Sequence, residues 1–299
     1  MSKMKRITII VCLILLILPV FSQEYKIIDT KMNKEIELKE MVERLGDYDV
    51  IFFGEFHDNK ILHSLEIELL KMFYRNNKNL IISLEMFERD VQAVLDKYLN
   101  NEISEADFLT ESRAWSNYET DYKPLIEFTK MNELPVVAAN IPRRYASMIS
   151  KQGMNALDSL SQEEKKFVAG KHKVYDDEYK DRFIRTMQSN MKHNSKMPSG
   201  MMKNFDQIYA AQCIKDDTMA ESILKYQHIP PRRKVIHYNG DFHSRKHFGT
   251  AQKIQILEPI LKVAVITPLI CENVFTWNDE DLLEGEFLIL IKDEIEEEE

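Results

Sequence analysis

The sequence predicts an α/β protein: a mainly parallel sheet flanked by helices, with a helical insertion. Three observations carry this. Short, β-rich apolar runs recur at residues 49–53, 80–84, 134–139 and 235–238. Amphipathic segments separate them, most clearly at residues 60–76, where Leu62, Leu65, Leu69 and Phe73 repeat at helical spacing. Between residues 147 and 227 no strand pattern occurs. Strands that are apolar throughout, alternating with one-sided helices, need a sheet covered on both faces. With 299 residues, 44% of them hydrophobic, the chain can bury such a core.

The elements follow in order. Lys3, Lys5 and Arg6 precede the nearly unbroken apolar run from Ile7 to Val20, and small Ser22 follows. That order is expected of a secretory signal peptide over residues 1–22, cleaved after Ser22. Cys12 lacks a good lipobox, so lipidation is not expected. A single domain then spans residues 23–292, closed by an acidic tail at 293–299. Residues 25–38 alternate around Met32-Asn33 and predict a hairpin, and 40–45 a short helix. The strand at 49–53 stops at Gly54. After the helix at 60–76 come a strand at 80–84, helices at 89–99 and 121–131, and a strand at 134–139. The helical stretch at 147–227, with Met187, Met191, Met197, Met201 and Met202 scattered along it as packing residues, is placed on the sheet's edge or over its rim. A strand at 235–238 and later strands at 263–270 and 287–291 complete the pattern.

Composition removes several functions. The net charge is −9 without a long basic run, which disfavours a phosphate backbone as partner. There is no Gly-rich phosphate loop, GxSxG elbow or HExxH, so nucleotide binding, an α/β-hydrolase and a zincin lose support. Three cysteines without a CxxC pair exclude a cysteine zinc site. Cys213 and Cys271 would remain after cleavage, and their pairing stays open.

The informative residues sit where strands end. Gly54-Glu55-Phe56-His57 and Gly240-Asp241-Phe242-His243 repeat one tetrad of glycine, acid, Phe and His. Acid and His are two apart, so an extended chain points them to one face, and glycine permits a sharp turn. Glu85 follows the second strand; Asn140 and Arg143 follow the third. Ligands of open parallel sheets bind outside the carboxyl ends of the strands, which offers all of these to one crevice. Glu55, His57, Glu85 and His243 are the catalytic candidates. Glu55, His57 and His243 could hold a divalent metal and a water, or a carboxylate could orient a neutral His as general base. Arg143 could hold a ligand carboxylate or phosphate. His63 reads as a helix-surface or rim residue, and His247 could share a helical face with His243. His172, His193, His228 and His237 stand in patterns that are more often bland than functional.

Gly54-Glu55-Phe56-His57-Asp58 with His63, Ser83-Leu84-Glu85-Met86-Phe87-Glu88-Arg89 with Gln92, Trp115, Tyr118, Tyr122-Lys123-Pro124-Leu125, Ala138-Ala139-Asn140-Ile141-Pro142-Arg143, Ala211-Gln212 with Asp216 and Met219-Ala220, and the second tetrad together resemble the ChaN-like family of haem-binding uptake proteins. The likeness spans about residues 48–250. It implies a cell-envelope protein of haem or iron acquisition, related in fold to erythromycin esterases and TraB/Tiki-type proteins. Haem needs an apolar slot, an axial Tyr, His or Met, and cations for its propionates. Tyr175, Tyr179, Tyr209, His193 and Arg143 are the groups available for this. The ligand is then haem or another small molecule; a homodimer and membrane association without a span are compatible. The rival is an esterase- or metallopeptidase-like hydrolase built on the strand-end Glu/His set.

Overall fold

A computed structural model describes residues 24–193 and 204–293, with the side chains of residues 190–193 excepted. The leader over 1–22, Met197, Met201, Met202, the tail beyond Asp293, and the side chains of Met191 and His193 lie outside the described residues.

The hairpin pairs β1 (Tyr25–Asp29) with β2 (Lys34–Ile36), and its turn uses Asn33 at φ 48°, a conformation Asn tolerates. Next come α1 (Leu38–Leu45), β3 (Val50–Glu55) and α2 (Lys60–Asn76), the last capped by Asn59, whose side chain accepts the Leu62 N–H. Then follow β4 (Leu80–Glu88), α3 (Gln92–Leu99) and α4 (Glu105–Ser112). A π-type turn at Tyr118–Tyr122 leads into α5 (Lys123–Met131), β5 (Val136–Asn140) and α6 (Arg143–Gln152). The helical stretch continues through α7 (Gln162–Lys165), α8 (Glu178–His193) and α9 (Phe205–Gln227). The chain ends with β6 (Lys234–Gly240), a 3-10 turn at Asp241–His243, α10 (Gly249–Leu257), β7 (Val263–Cys271) and β8 (Phe287–Lys292).

The eight strands form one sheet in the order β2-β1-β8-β7-β3-β6-β4-β5. It is parallel from β8 to β5, and the hairpin adds an antiparallel edge. Successive β3 residues feed opposite layers, as strand geometry requires. Ile51 and Phe53 pack under α1, α2 and α5, whereas Val50 and Phe52 pack against α9 and α10. The chain builds to one side from β3 through β4 to β5, then returns to insert β6 beside β3. The order of the sheet reverses there, the place where an open α/β sheet leaves a crevice.

Two expectations change in detail. The stretch 147–227 does not lie wholly at the edge. The C-terminal half of α9 covers the sheet itself through Met219, Ala220, Ile223 and Leu224, because a parallel return from β5 to β6 needs a crossover helix. The strands also outrun their apolar stretches. β3 continues through Gly54 to Glu55, which meets His57 and Tyr122 in the crevice, and β4 to Glu88, which pairs with Arg113 in the cleft beside it.

Candidate functional site

β3 and β6 are paired so that Glu55 stands opposite Gly240, and β4 flanks β6 on the other side. The Gly240 N–H donates to Glu85 Oε2 at 2.7 Å, which ties the carboxyl ends of β4 and β6 together. The tetrad glycines serve close approach rather than turning. Gly240 has an ordinary backbone (φ −52°, ψ 127°). A Cβ there would meet the His57 ring at 2.9 Å, and one at Gly54 would meet Asp241 Oδ1 and the Ile266 carbonyl at 3.0 Å. Each glycine thus clears space for a polar residue of the other tetrad.

Glu55, His57, Glu85 and His243 line one cavity of about 860 Å3, walled further by Phe56, Phe183, Met187 and Phe242, with Lys215 and Gln212 at its side. Their environments differ. Glu55 is fully buried, and its Oε1 accepts His57 Nδ1–H at 2.6 Å and the Tyr122 hydroxyl at 2.7 Å. The His57 side chain is 44% exposed, and its ring meets Trp115 edge-on at 4.9 Å. Its Nε2 has no hydrogen-bond partner among the described residues. Burial disfavours the His57 cation, but Glu55 and Glu85 outweigh it and raise the pKa above the ordinary value. Burial likewise raises the Glu55 carboxyl, yet the His57 contact brings it below the usual range.

His243 is a buried cation. Its Nδ1 lies 2.6 Å from Asp216 Oδ1 and its Nε2 3.3 Å from Glu85 Oε1. Asp216 is braced by the Tyr179 and Thr250 hydroxyls, each at 3.0 Å. Burial alone would keep His243 neutral, but the two carboxylates push its pKa up to about 10. Burial also opposes the Glu85 charge, and His243 overcomes it, so Glu85 stays ionised well below the usual carboxylate range. Both His243 nitrogens thus face carboxylates in this arrangement, and the ring bridges Asp216 and Glu85.

The remaining candidates are dispersed. Arg143 is exposed and lines a neighbouring cleft with Arg113, Arg144 and Trp115; Ser116 and Asn117 belong to both cavities. The Asn140 side chain accepts the Ile141 N–H beside it. Tyr175 lies under the Lys173 and Lys253 ammonium groups. Tyr179 and Tyr209 are buried in an aromatic cluster with Phe183, Phe242 and Phe248, behind the cavity wall. No tyrosine lines the cavity among the described residues.

His63 is not a rim residue: it is 6% exposed, and its Nδ1 lies 3.0 Å from Glu66 Oε2. The i, i+3 spacing on α2 turns both inward. His247 pairs with Glu286 rather than joining His243, since Lys246 and His247 adopt positive φ and break the helical path. Asp216, Glu66 and Tyr122 carry much of the site's hydrogen bonding. Each sits on a helix or turn where sequence spacing alone does not separate it from surface polarity. Cys213 and Cys271 are both free, and burial pushes the Cys213 thiol up to about 12.

The model of the family described as haem-binding uptake, Tiki superfamily, ChaN matches residues 41–254. The chain belongs to this family. The fold is similar to that of ChaN of Campylobacter jejuni, solved with cofacial haem, at TM-score 0.67 and 20% identity over 91% of this chain and 98% of that one. A Bacillus cereus protein is similar at TM-score 0.50 and 10% identity over 85% of this chain and 91% of that one. An erythromycin esterase in its open conformation aligns at TM-score 0.48 and 11% identity over 82% and 77% of the two chains. No curated protein sequence matches. Among the described residues no helix is long and apolar enough to cross a membrane.

The cavity's residues fit the family's cofactor. Its volume falls in the range of about 300–1,000 Å3 usual for small-molecule sites. Phe56, Phe183, Phe242 and Met187 offer apolar and aromatic surface, His57 a nitrogen donor, and Lys215 a cation for a carboxylate.

Proposed function

We propose that the chain binds haem in the cavity at the carboxyl ends of β3, β6 and β4, with His57 as the axial donor. The observation that carries this reading is the state of His57. Its Nδ1–H is committed to Glu55 at 2.6 Å, while its side chain is 44% exposed at the cavity. A carboxylate on the far nitrogen fixes the tautomer and raises the basicity of the other, as in metal-bound histidines generally. Bound iron would supply the ligand bond and any redox chemistry; this chain orients the donor and shields the porphyrin with aromatic walls. The basic, apolar and small-residue order of residues 1–22 supports export, and with family membership it supports a role in haem or iron uptake at the cell envelope.

Titration of the purified protein with haem, followed in the Soret band, tests the reading. His57→Ala is expected to shift the band and weaken binding at least about tenfold, about 1.4 kcal/mol. A spectrum and affinity equal to wild type would refute His57 as ligand.

One observation favours a second reading. The Glu55–His57 contact is also the layout of a carboxylate-oriented general base, with His57 Nε2 able to take a proton from water in the cavity. Turnover of a model ester, lost in His57→Ala and present without haem, would make hydrolysis the better account.

A further inference from the structure

We propose that Glu55, His63 and Glu66 form a buried divalent-metal site beneath His57, taking a cation of the zinc or manganese class. The proposal stands apart from the haem reading and uses neither the free nitrogen of His57 nor His243. One donor atom from each of the three residues can be chosen so that all lie within 4.8 Å of one another, and all three residues are buried. α2 supplies His63 and Glu66 from one face, and β3 brings Glu55 to meet them.

Two features show that something cationic belongs there. First, Glu55 Oε2 and Glu66 Oε1 are buried with no hydrogen-bond partner, in residues 1% and 0% exposed. Buried carboxylate oxygens left unpaired are costly. Second, His63 Nε2 lies 3.1 Å from the His57 main-chain carbonyl. A carbonyl only accepts, so Nε2 carries the hydrogen. In the neutral ring Nδ1 is then a bare lone pair, and it faces Glu66 Oε2 at 3.0 Å and Glu55 Oε2 at 3.6 Å. A lone pair and two carboxylate oxygens do not face one another without a cation among them. That cation is a metal ion or a proton.

The surroundings favour the metal. A backbone carbonyl on the distal nitrogen is the outer partner that ligating histidines keep. One imidazole with two carboxylates is a mixed set that suits zinc or manganese rather than a soft or an all-oxygen ion. Glu55 Oε1 is already held by His57 and Tyr122, so an ion on Oε2 would lock the carboxylate that orients His57. The ion's role is therefore positional, acting on the cavity through Glu55.

The test uses the purified protein, stripped with chelator and then dialysed against zinc alone or manganese alone, without haem. Metal content by mass spectrometry and the shift in Tm are read together. The expected result is uptake of about one equivalent per chain with a higher Tm, because the ion binds only the folded site. Glu66→Gln and His63→Gln should each weaken uptake at least about 100-fold, beyond what outer-sphere changes cause, while Glu68→Gln, on the exposed face of the same helix, should leave it unchanged. Circular dichroism checks folding, and the wild-type metal content decides the matter even if one variant fails to fold. Wild-type protein that takes up no ion, or variants that bind it as tightly as wild type, would overturn the proposal. Wild-type protein that takes up no ion, with Glu66→Gln no more stable than it, would assign the cation to a shared proton instead.

Discussion

Gly240 has a backbone that any residue could adopt, yet the His57 ring lies where its side chain would begin. The contact is with the movable end of a half-exposed ring, so Gly240→Ala should displace His57 at modest cost. The expected outcome is haem affinity reduced toward that of His57→Ala, with a loss of stability of about 1 kcal/mol or less, at the low end for overpacking. Gly54→Ala is the contrast. Its Cβ would meet the Ile266 main-chain carbonyl and Asp241, neither of which yields easily, so unfolding in denaturant should show about 1–3 kcal/mol lost. If the two variants unfold alike, the separation of roles fails. At this scale the sequence is informative about which residues matter and misleading about why. The twice-written tetrad points to four side chains that do share a cavity. The glycines read as turn formers because a turn is what glycine at a strand's end suggests; close approach between two strands distant in sequence leaves no local trace. His63 and Glu66 escape a reading of the sequence for a related reason, since an i, i+3 pair on a helix looks the same facing solvent or facing a buried carboxylate.

Among the elements, α9 joins the two halves of the molecule. Its C-terminal half packs Met219, Ala220, Ile223 and Leu224 against the sheet, while Tyr209, Gln212, Cys213 and Asp216 reach the cavity wall or the cluster behind it. Ile223 is fully buried in the cluster between α9 and the sheet, so Ile223→Ala should cost about 2–5 kcal/mol, the range for truncating a core aliphatic side chain. A loss under about 0.5 kcal/mol, the scale of a surface change, would show that α9 is dispensable to the sheet. The apolar runs foretell the parallel strands because burial on both faces demands them. α9 is harder to place. It is covered by the sheet along one half, by the aromatic cluster along the other, and by α6 and α10 besides, and so lacks the single apolar stripe that marks a covering helix. α4 leaves little trace because only Phe108 and Ser112 of its eight residues are buried.

Across the whole molecule, two buried histidines close together in sequence hold opposite charge states. His237 sits within β6, Nδ1 against the Ser83 hydroxyl at 2.9 Å, with Nε2 lacking a partner. Burial depresses its pKa to about 3, so the fold accepts it neutral. His243 is kept charged by Glu85 and Asp216, which raise its pKa to about 10 against the pull of burial. The unfolded chain would return both to about 6.5. For His237 the unfolded state binds the extra proton between about pH 6.5 and 3, so stability is present above that window and is lost as pH falls through it. For His243 the folded state keeps the proton between about pH 6.5 and 10. Its contribution is full below that window and is lost as pH rises through it. The two limbs leave greatest stability near neutrality, each sloping by at most about 1.4 kcal/mol per pH unit. Tm measured from pH 4 to 10 should therefore fall on both sides. His243→Gln should flatten the alkaline side while leaving the acid side, and His237→Gln should do the reverse. An alkaline limb as steep in His243→Gln as in the native chain would mean that His243 does not hold its proton in the fold. The ion pairs that tie α9 to β4 and β6 would then be weaker than their geometry implies.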